Sequence, residues 1–179
     1  MKYRRVYVNG GTYFFTLVTY KRLPLFSSQE SVEVFHEAIR YTSARLPFES
    51  VAYVILPDHL HIIWTLPEES CDYSTRWRLI KSYFTRCWNK DNGARGSASR
   101  MRKKERAVWQ RRYWEHLIRD EIDLSHHIEY IHYNPIKHGY VHSLMEWHNS
   151  SFLNYVQDGL YPSNWGENAP IWSVTHTME

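Results

Sequence analysis

Two histidines one residue apart open the chemical reading, in the run Pro57-Asp58-His59-Leu60-His61-Ile62-Ile63-Trp64. The run is apolar and β-branched enough for a buried strand, and alternate side chains of a strand share a face. His59 and His61 then project together, roughly 7 Å apart along the backbone, while Leu60 points into a core. Two imidazoles converging in this way can hold a divalent cation. Packed core histidines would give the same pattern, and the chain has 11 histidines to distribute.

A second group completes a possible site. His127-Ile128-Glu129-Tyr130-Ile131-His132-Tyr133-Asn134-Pro135 has the pattern of a helix end. Residues four apart lie one above the other on a helix, so Tyr130 and Asn134 present a phenol and an amide oxygen on one face. The amide oxygen is a candidate third ligand and the phenol a candidate nucleophile. Tyr133 is near the same face, and spacing alone does not choose between the two tyrosines. Pro135 disfavours helical geometry at the residue before it, so the helix is expected to stop near Asn134.

The elements that must position these groups follow from hydrophobic periodicity. Tyr13 to Tyr20 reads as a first strand after the Gly10-Gly11 turn, and Ser28 to Arg45 as an amphipathic helix carrying Val32, Phe35 and Ile39. Phe48 to Leu56 alternates as a second strand, joined to the histidine strand, His59 to Leu66, by Pro57-Asp58 alone, which requires an antiparallel pair. A helix with Ser74 as its expected N-cap carries Trp77, Ile80, Phe84 and Trp88. Residues 89–105 lack apolar periodicity and are expected to be mobile. Trp114 to Ile118 is the last strand, and Asp120 to Asn134 the helix of Tyr130. The order strand, helix, strand, strand, helix, strand and a closing helix is that of an α+β, ferredoxin-like split βαβ fold, an antiparallel sheet with helices on one face. Residues 1–160 read as one domain and 161–179 as a C-terminal tail.

Charge points to the partner. The net charge is only +3, but 13 of the 22 Lys and Arg lie between Arg76 and Arg112, against Asp91 and Glu105 as the acidic residues there. A basic segment in an otherwise acidic chain suits a polyanion, and nucleic acid is the usual one. Arg4 and Arg5 in the N-terminal arm, Arg76, Arg78 and Lys81 on the second helix, and Trp109, Arg111 and Arg112 beyond it are the candidate DNA-binding residues. Arginine interleaved with aromatic rings fits single strands, with guanidinium on phosphate and indole on base, and Trp109 and Trp114 fit a place in the core at least as well. Cys71 and Cys87 are too few and too far apart for a disulfide framework or a cysteine zinc site. With no signal-peptide pattern and no apolar run of membrane-spanning length, a cytoplasmic protein is expected.

The five stretches GGTYFFT, LPDHLHIIWTLPE, STRWRLIKSYF, WQRRYWEHLIRDE and YIHYNPIKHGYV, in this order, resemble the REP-associated tyrosine transposases. These are single-tyrosine members of the HUH nuclease superfamily, related to small insertion-sequence transposases. The resemblance runs from about Tyr3 to Trp165. It implies the same fold, Tyr130 as the nucleophile, and Mg²⁺ or Mn²⁺ held by His59, His61 and Asn134. It also implies a 5′-phosphotyrosine intermediate with a free 3′-hydroxyl, and no small-molecule cofactor. The implied substrates are single-stranded DNA hairpins, repeated extragenic palindromes with a flanking tetranucleotide, bound by a monomer or dimer. Asn134 is shorter than the glutamine of some relatives. Two other functions are compatible with the residues: a non-catalytic module that binds nucleic-acid hairpins, and a phosphodiesterase using metal-activated water.

Overall fold

The computed structural model describes residues 5–88, 98–102 and 106–167. Four strands, β1 (Thr12–Val18), β2 (Glu49–Ile55), β3 (His59–Thr65) and β4 (Trp114–Leu117), form one sheet in the order β2-β3-β1-β4. All neighbours are antiparallel. β1 and β2 are therefore parallel to each other with β3 between them, the split βαβ arrangement expected from the order of elements.

Alternation along the strands divides the sheet into two unlike faces. Tyr13, Phe15 and Leu17 of β1 join Leu60, Ile62 and Trp64 of β3 on one side. There they meet α1 (Gln29–Ser43) and α2 (Tyr73–Cys87) through Val32, Phe35, Trp77, Ile80 and Phe84. Phe14, Ala52, Val54 and Ile63 face the other way. The expectation of helices on one face holds for α1 and α2, the helices of the split unit. The opposite face is itself apolar, and it is covered by α4 (Glu121–Lys137) through Tyr130 and Ile131.

Local sequence explains the element ends. Ser28 caps α1 by accepting from the Ser31 amide. Asp72, two residues before the expected Ser74, caps α2 by accepting from the Thr75 amide at 2.8 Å. A carboxylate serves well there, because it both pairs the free amide and meets the positive end of the helix dipole. Of residues 89–105, those at 98–102 form the short helix α3, and the rest of that segment, expected to be mobile, lies outside the described residues.

After α4 the chain returns to the open edge of the sheet. Ile55 donates its amide to Asn149, and Ser151 donates to Tyr53, so residues 149–151 cover part of β2 before α5 (Phe152–Gln157). Tyr161 and Trp165 then stack at 4.6 Å, with Tyr161 also stacked on Phe152. Residues 161–167 are thus packed against the domain; residues 168–179 lie outside the described part. Among the described residues no helix is long and apolar enough to cross a membrane.

Candidate active site and nucleic-acid interface

The histidine strand begins directly after a tight turn that is tied down from behind. Thr19 donates its amide to the Asp58 carbonyl and Phe26 donates to the Pro57 carbonyl, both at 2.9 Å. His59 and His61 project from the same face of β3, as the spacing requires, with ring centroids 5.1 Å apart. Each ring is oriented through its Nδ1 atom. His59 donates to Asp58 Oδ1 at 2.5 Å, and His61 Nδ1 is hydrogen-bonded to Thr16 Oγ1 at 2.8 Å on the adjacent β1. His61 Nε2 is buried and has no hydrogen-bond partner among the described residues.

Electrostatics favour a neutral His61. Burial, followed by the positive charges of His59, Lys137 and His138, holds its imidazole well below the ordinary value. A neutral ring with one nitrogen fixed and the other carrying a lone pair is the form that binds a metal. Burial alone would raise the Asp58 carboxyl, but hydrogen bonds from His59 and Arg22 hold it below its ordinary value. It is thus an ionised anchor for His59.

α4 brings the phenol to these rings. Asp120 caps its N-terminus by accepting from the Asp123 amide at 2.8 Å. Contrary to the expectation from Pro135, the helix does not stop at Asn134 but continues to Lys137. Proline removes one backbone donor, and the turn that follows restores order. Gly139, at φ 69°, lets Tyr140 donate to the Pro135 carbonyl and Gly139 to Ile136, a Schellman ending that satisfies the last carbonyls.

The Tyr130 ring lies 5.2 Å from His61 and 6.0 Å from Phe14, centroid to centroid. Lys137, two turns later on the same face, holds its Nζ 5.0 Å from the Tyr130 ring centroid. Tyr133 points elsewhere: its Cδ2 lies 3.5 Å from where a Cβ on Gly166 would stand. Packing therefore makes the distinction that spacing left open, and places Tyr130 beside the histidines. Asn134 is fully buried; its Nδ2 donates to the Tyr130 carbonyl at 2.9 Å, while its Oδ1 has no partner among the described residues. An imidazole Nε2 and an amide oxygen, both buried and both without a hydrogen bond, fit a cation held by His61 and Asn134 together with His59.

One cluster escaped the sequence reading. His116 of β4 donates from Nε2 to Asp123 Oδ2 at 2.9 Å, and His127 lies with Nδ1 3.2 Å from Asp123 Oδ1. These three residue types at this separation could hold an ion. Here the same atoms are engaged with one another, and Arg119 adds its guanidinium to Asp123 Oδ2 at 3.0 Å. The arrangement clamps β4 to α4. Its sequence signal was Asp123-x-x-x-His127, one helical turn on the face that also carries Tyr130.

The predicted DNA-binding residues separate into two groups. Arg5, Arg78, Lys81 and Arg111 line a cleft of about 680 Å³ together with Arg86, Arg106 and Tyr113. The cleft runs along α2, on the side of the sheet away from the histidines. Arg112 is exposed but outside its lining, and Arg4 lies outside the described residues. One assignment needs correction. Arg76 is 3% exposed and donates to the carbonyls of Leu46, Pro47 and Asp72 and to Ser70 Oγ, so its guanidinium holds loops together and does not face solvent. Trp109 is 5% exposed and packed among Phe26, Phe35 and Phe84, and it also lines the cleft, with Lys81 Nζ 5.8 Å from its ring centroid.

Comparison with known proteins agrees with this geometry. The family model described as transposase IS200-like matches residues 7–134. The REP-associated tyrosine transposase of Escherichia coli K12 is 41% identical over 174 residues, 97% of this chain and 95% of that protein. A relative from Haemophilus influenzae, provisionally described in the same way, is 43% identical over 169 residues, 94% of this chain and 95% of its own. The chain belongs to the REP-associated tyrosine transposases, within the IS200-like transposase family. A solved structure of a REP-associated tyrosine transposase bound to a REP hairpin also matches this transposase. It covers 97% of this chain and 95% of the other, with a TM-score of 0.79 and 39% identity. The four-stranded antiparallel sheet and its flanking helices are thus those of a DNA-processing enzyme family.

Proposed function

We propose that this chain cuts and rejoins single-stranded DNA next to a hairpin of REP type, with Tyr130 as the nucleophile. The observation that carries the reading is the Tyr130 ring 5.2 Å from His61, on a strand whose two histidines are each fixed through Nδ1. Mg²⁺ or Mn²⁺ held by His59, His61 and Asn134 would neutralise a non-bridging phosphate oxygen and make the phosphorus open to attack. Asp58 and Thr16 keep the imidazoles in place. Lys137 holds its ammonium 5.0 Å from the Tyr130 ring centroid, beside the attacking group.

Attack by Tyr130 Oη forms a bond to phosphorus as the bond to the 3′ oxygen breaks. The phenolic proton ends on that oxygen, which gives a 5′-phosphotyrosine and a free 3′-hydroxyl. A second 3′-hydroxyl can reverse the step on a different strand, so bond energy is retained and no nucleotide cofactor is consumed. The relative solved with a REP hairpin supports the substrate class, and the cleft of Arg5, Arg78, Lys81 and Arg111 is suited to the hairpin's phosphates.

Labelled hairpin DNA with single-stranded flanks, incubated with protein and Mg²⁺ or Mn²⁺ and run on a denaturing gel, tests the reading. A metal-dependent covalent band is expected from the wild type and from neither Tyr130→Phe nor His61→Ala. Cleavage that persists undiminished in Tyr130→Phe would transfer the chemistry to activated water.

A further inference from the structure

Outside the His59 imidazole, aromatic side chains continue onto the surface in a row that the cleavage step does not use. His138 meets His59 edge-on at 5.3 Å. Tyr140 lies near-parallel to His138 at 5.9 Å, and Trp147 near-parallel to Tyr140 at 5.4 Å. Tyr140 is 44% exposed and belongs to neither apolar core, so burial does not explain a large ring at this position.

The row is held by backbone at both ends. Gly139 turns the chain through its positive φ, and the Tyr140 amide is bonded to the Pro135 carbonyl at 2.9 Å. Trp147 donates its indole Nε1 to the Ile55 carbonyl at 3.2 Å. The rings are therefore in place before any ligand arrives, which reduces the ordering cost of binding.

A cation stands beside them. Arg22 donates to Asp58 Oδ2 at 3.1 Å, with its side chain 59% exposed. The same carboxylate accepts from His59 through its other oxygen, and His59 meets His138, so Arg22 is tied to the inner end of the row. Lys21 and Arg22 both have φ of 54°, a left-handed backbone that neither residue type favours. Such conformations cluster where a side chain must be aimed at a particular place.

We infer that the exposed row of His138, Tyr140 and Trp147, with Tyr140 at its centre, is a stacking subsite for an unpaired DNA base flanking the scissile phosphate, and that Arg22 holds the adjoining backbone phosphate. The inference rests on the cleavage reading for its substrate. Every base has a π-face, so the subsite positions the single-stranded flank without reading its sequence. It lies directly outside the histidines and on the opposite side of the sheet from the basic cleft, which gives hairpin and flank separate places on the molecule.

Binding is measured by anisotropy in the Tyr130→Phe background, where no cleavage intervenes. The probes are a palindromic DNA hairpin with an oligo-dT flank, the same hairpin with an abasic flank, and the hairpin without a flank. Adding Tyr140→Ala is expected to weaken binding of the dT-flanked probe about tenfold, and Tyr140→Phe to restore it. The abasic and flankless probes should show no such dependence. Equal binding of the dT flank by Tyr140→Ala, or equal loss on all three probes, would overturn the subsite. The covalent assay separates the two readings. If an adduct forms in the wild type while Tyr140 has no effect on the flank, the subsite alone is wrong. If the flank depends on Tyr140 and no adduct ever forms, the subsite stands and the cleavage reading fails.

Discussion

The two faces of the sheet are made from the same strands and are put to different uses. Toward α1 and α2, Trp64 stacks on Trp77 with centroids 4.1 Å apart, and Phe15, Phe35 and Phe84 fill the space around them. Toward α4, the same β3 strand sends His59 and His61, and the helix answers with His127, Tyr130 and Asn134. The buried polar atoms without hydrogen bonds differ in kind. Among the described residues, on the first face they include the indole N–H groups of Trp64 and Trp77, donors at the rim of large apolar rings; on the second they include His61 Nε2, His127 Nε2 and Asn134 Oδ1. Lone pairs kept dry and unpaired cost stability, and a fold retains them where something else is to be bound. One side of the sheet therefore carries most of the cohesion, and the other carries the groups to which we assign the chemistry.

The largest effect should come from the cohesive side. Trp77→Ala removes a fully buried indole from the centre of the stack and should cost about 3–5 kcal/mol, read as the shift in free energy of urea unfolding. Tyr130→Phe, which deletes one hydroxyl on the other face, should move the same measurement by less than about 1 kcal/mol while abolishing the covalent adduct. A Trp77→Ala protein as stable as the wild type would break the division of labour between the faces.

A second test sharpens the comparison within the chemical face. Asp58 touches no substrate in the cleavage scheme and acts by holding His59 through Nδ1. Asp58→Asn should therefore weaken Mn²⁺ binding about 10- to 100-fold in calorimetry, with the fold intact by circular dichroism. Unchanged Mn²⁺ affinity in a folded Asp58→Asn protein would show that the carboxylate does not orient the ligand.

Much of this division was legible in the sequence because period-two alternation survives in β1 and β3. It placed His59 and His61 together and Leu60 opposite, and it gave the strand and helix order of the fold. What was not legible depended on contacts distant along the chain. Arg76 looked like one more cation on a basic helix, but the loop carbonyls of Leu46 and Pro47, some 30 residues earlier, claim its guanidinium. Trp109 was open to a stacking or a core role, and it packs in the core while also lining the cleft. Tyr130 and Tyr133 are only about 60° apart around the helix, and the packing of Gly166 against Tyr133 decides which of them turns to the histidines. Pro135 misled in a different way, because the local rule concerns a preference of the preceding residue, and a well-paired Schellman ending at Gly139 outweighs it.

The smallest effects are expected in the basic segment, where the structure separates residues that composition had grouped. Arg78 and Arg111 line the cleft along α2, and each is exposed. A guanidinium that neutralises one phosphate releases close to one counterion, so its loss reduces the steepness of the salt dependence more clearly than it reduces affinity at low salt. Fluorescent hairpin binding measured between roughly 50 and 200 mM salt should give, for Arg78→Ala with Arg111→Ala, a log–log slope shallower by about 2, with unfolding free energy within about 0.5 kcal/mol of the wild type. The same substitution at Arg76 should leave the slope where it was and lower stability, since its partners are carbonyls of the protein. An Arg76→Ala protein with wild-type stability and a shallower slope would return that residue to the DNA interface, and a double variant with an unchanged slope would take the cleft out of it.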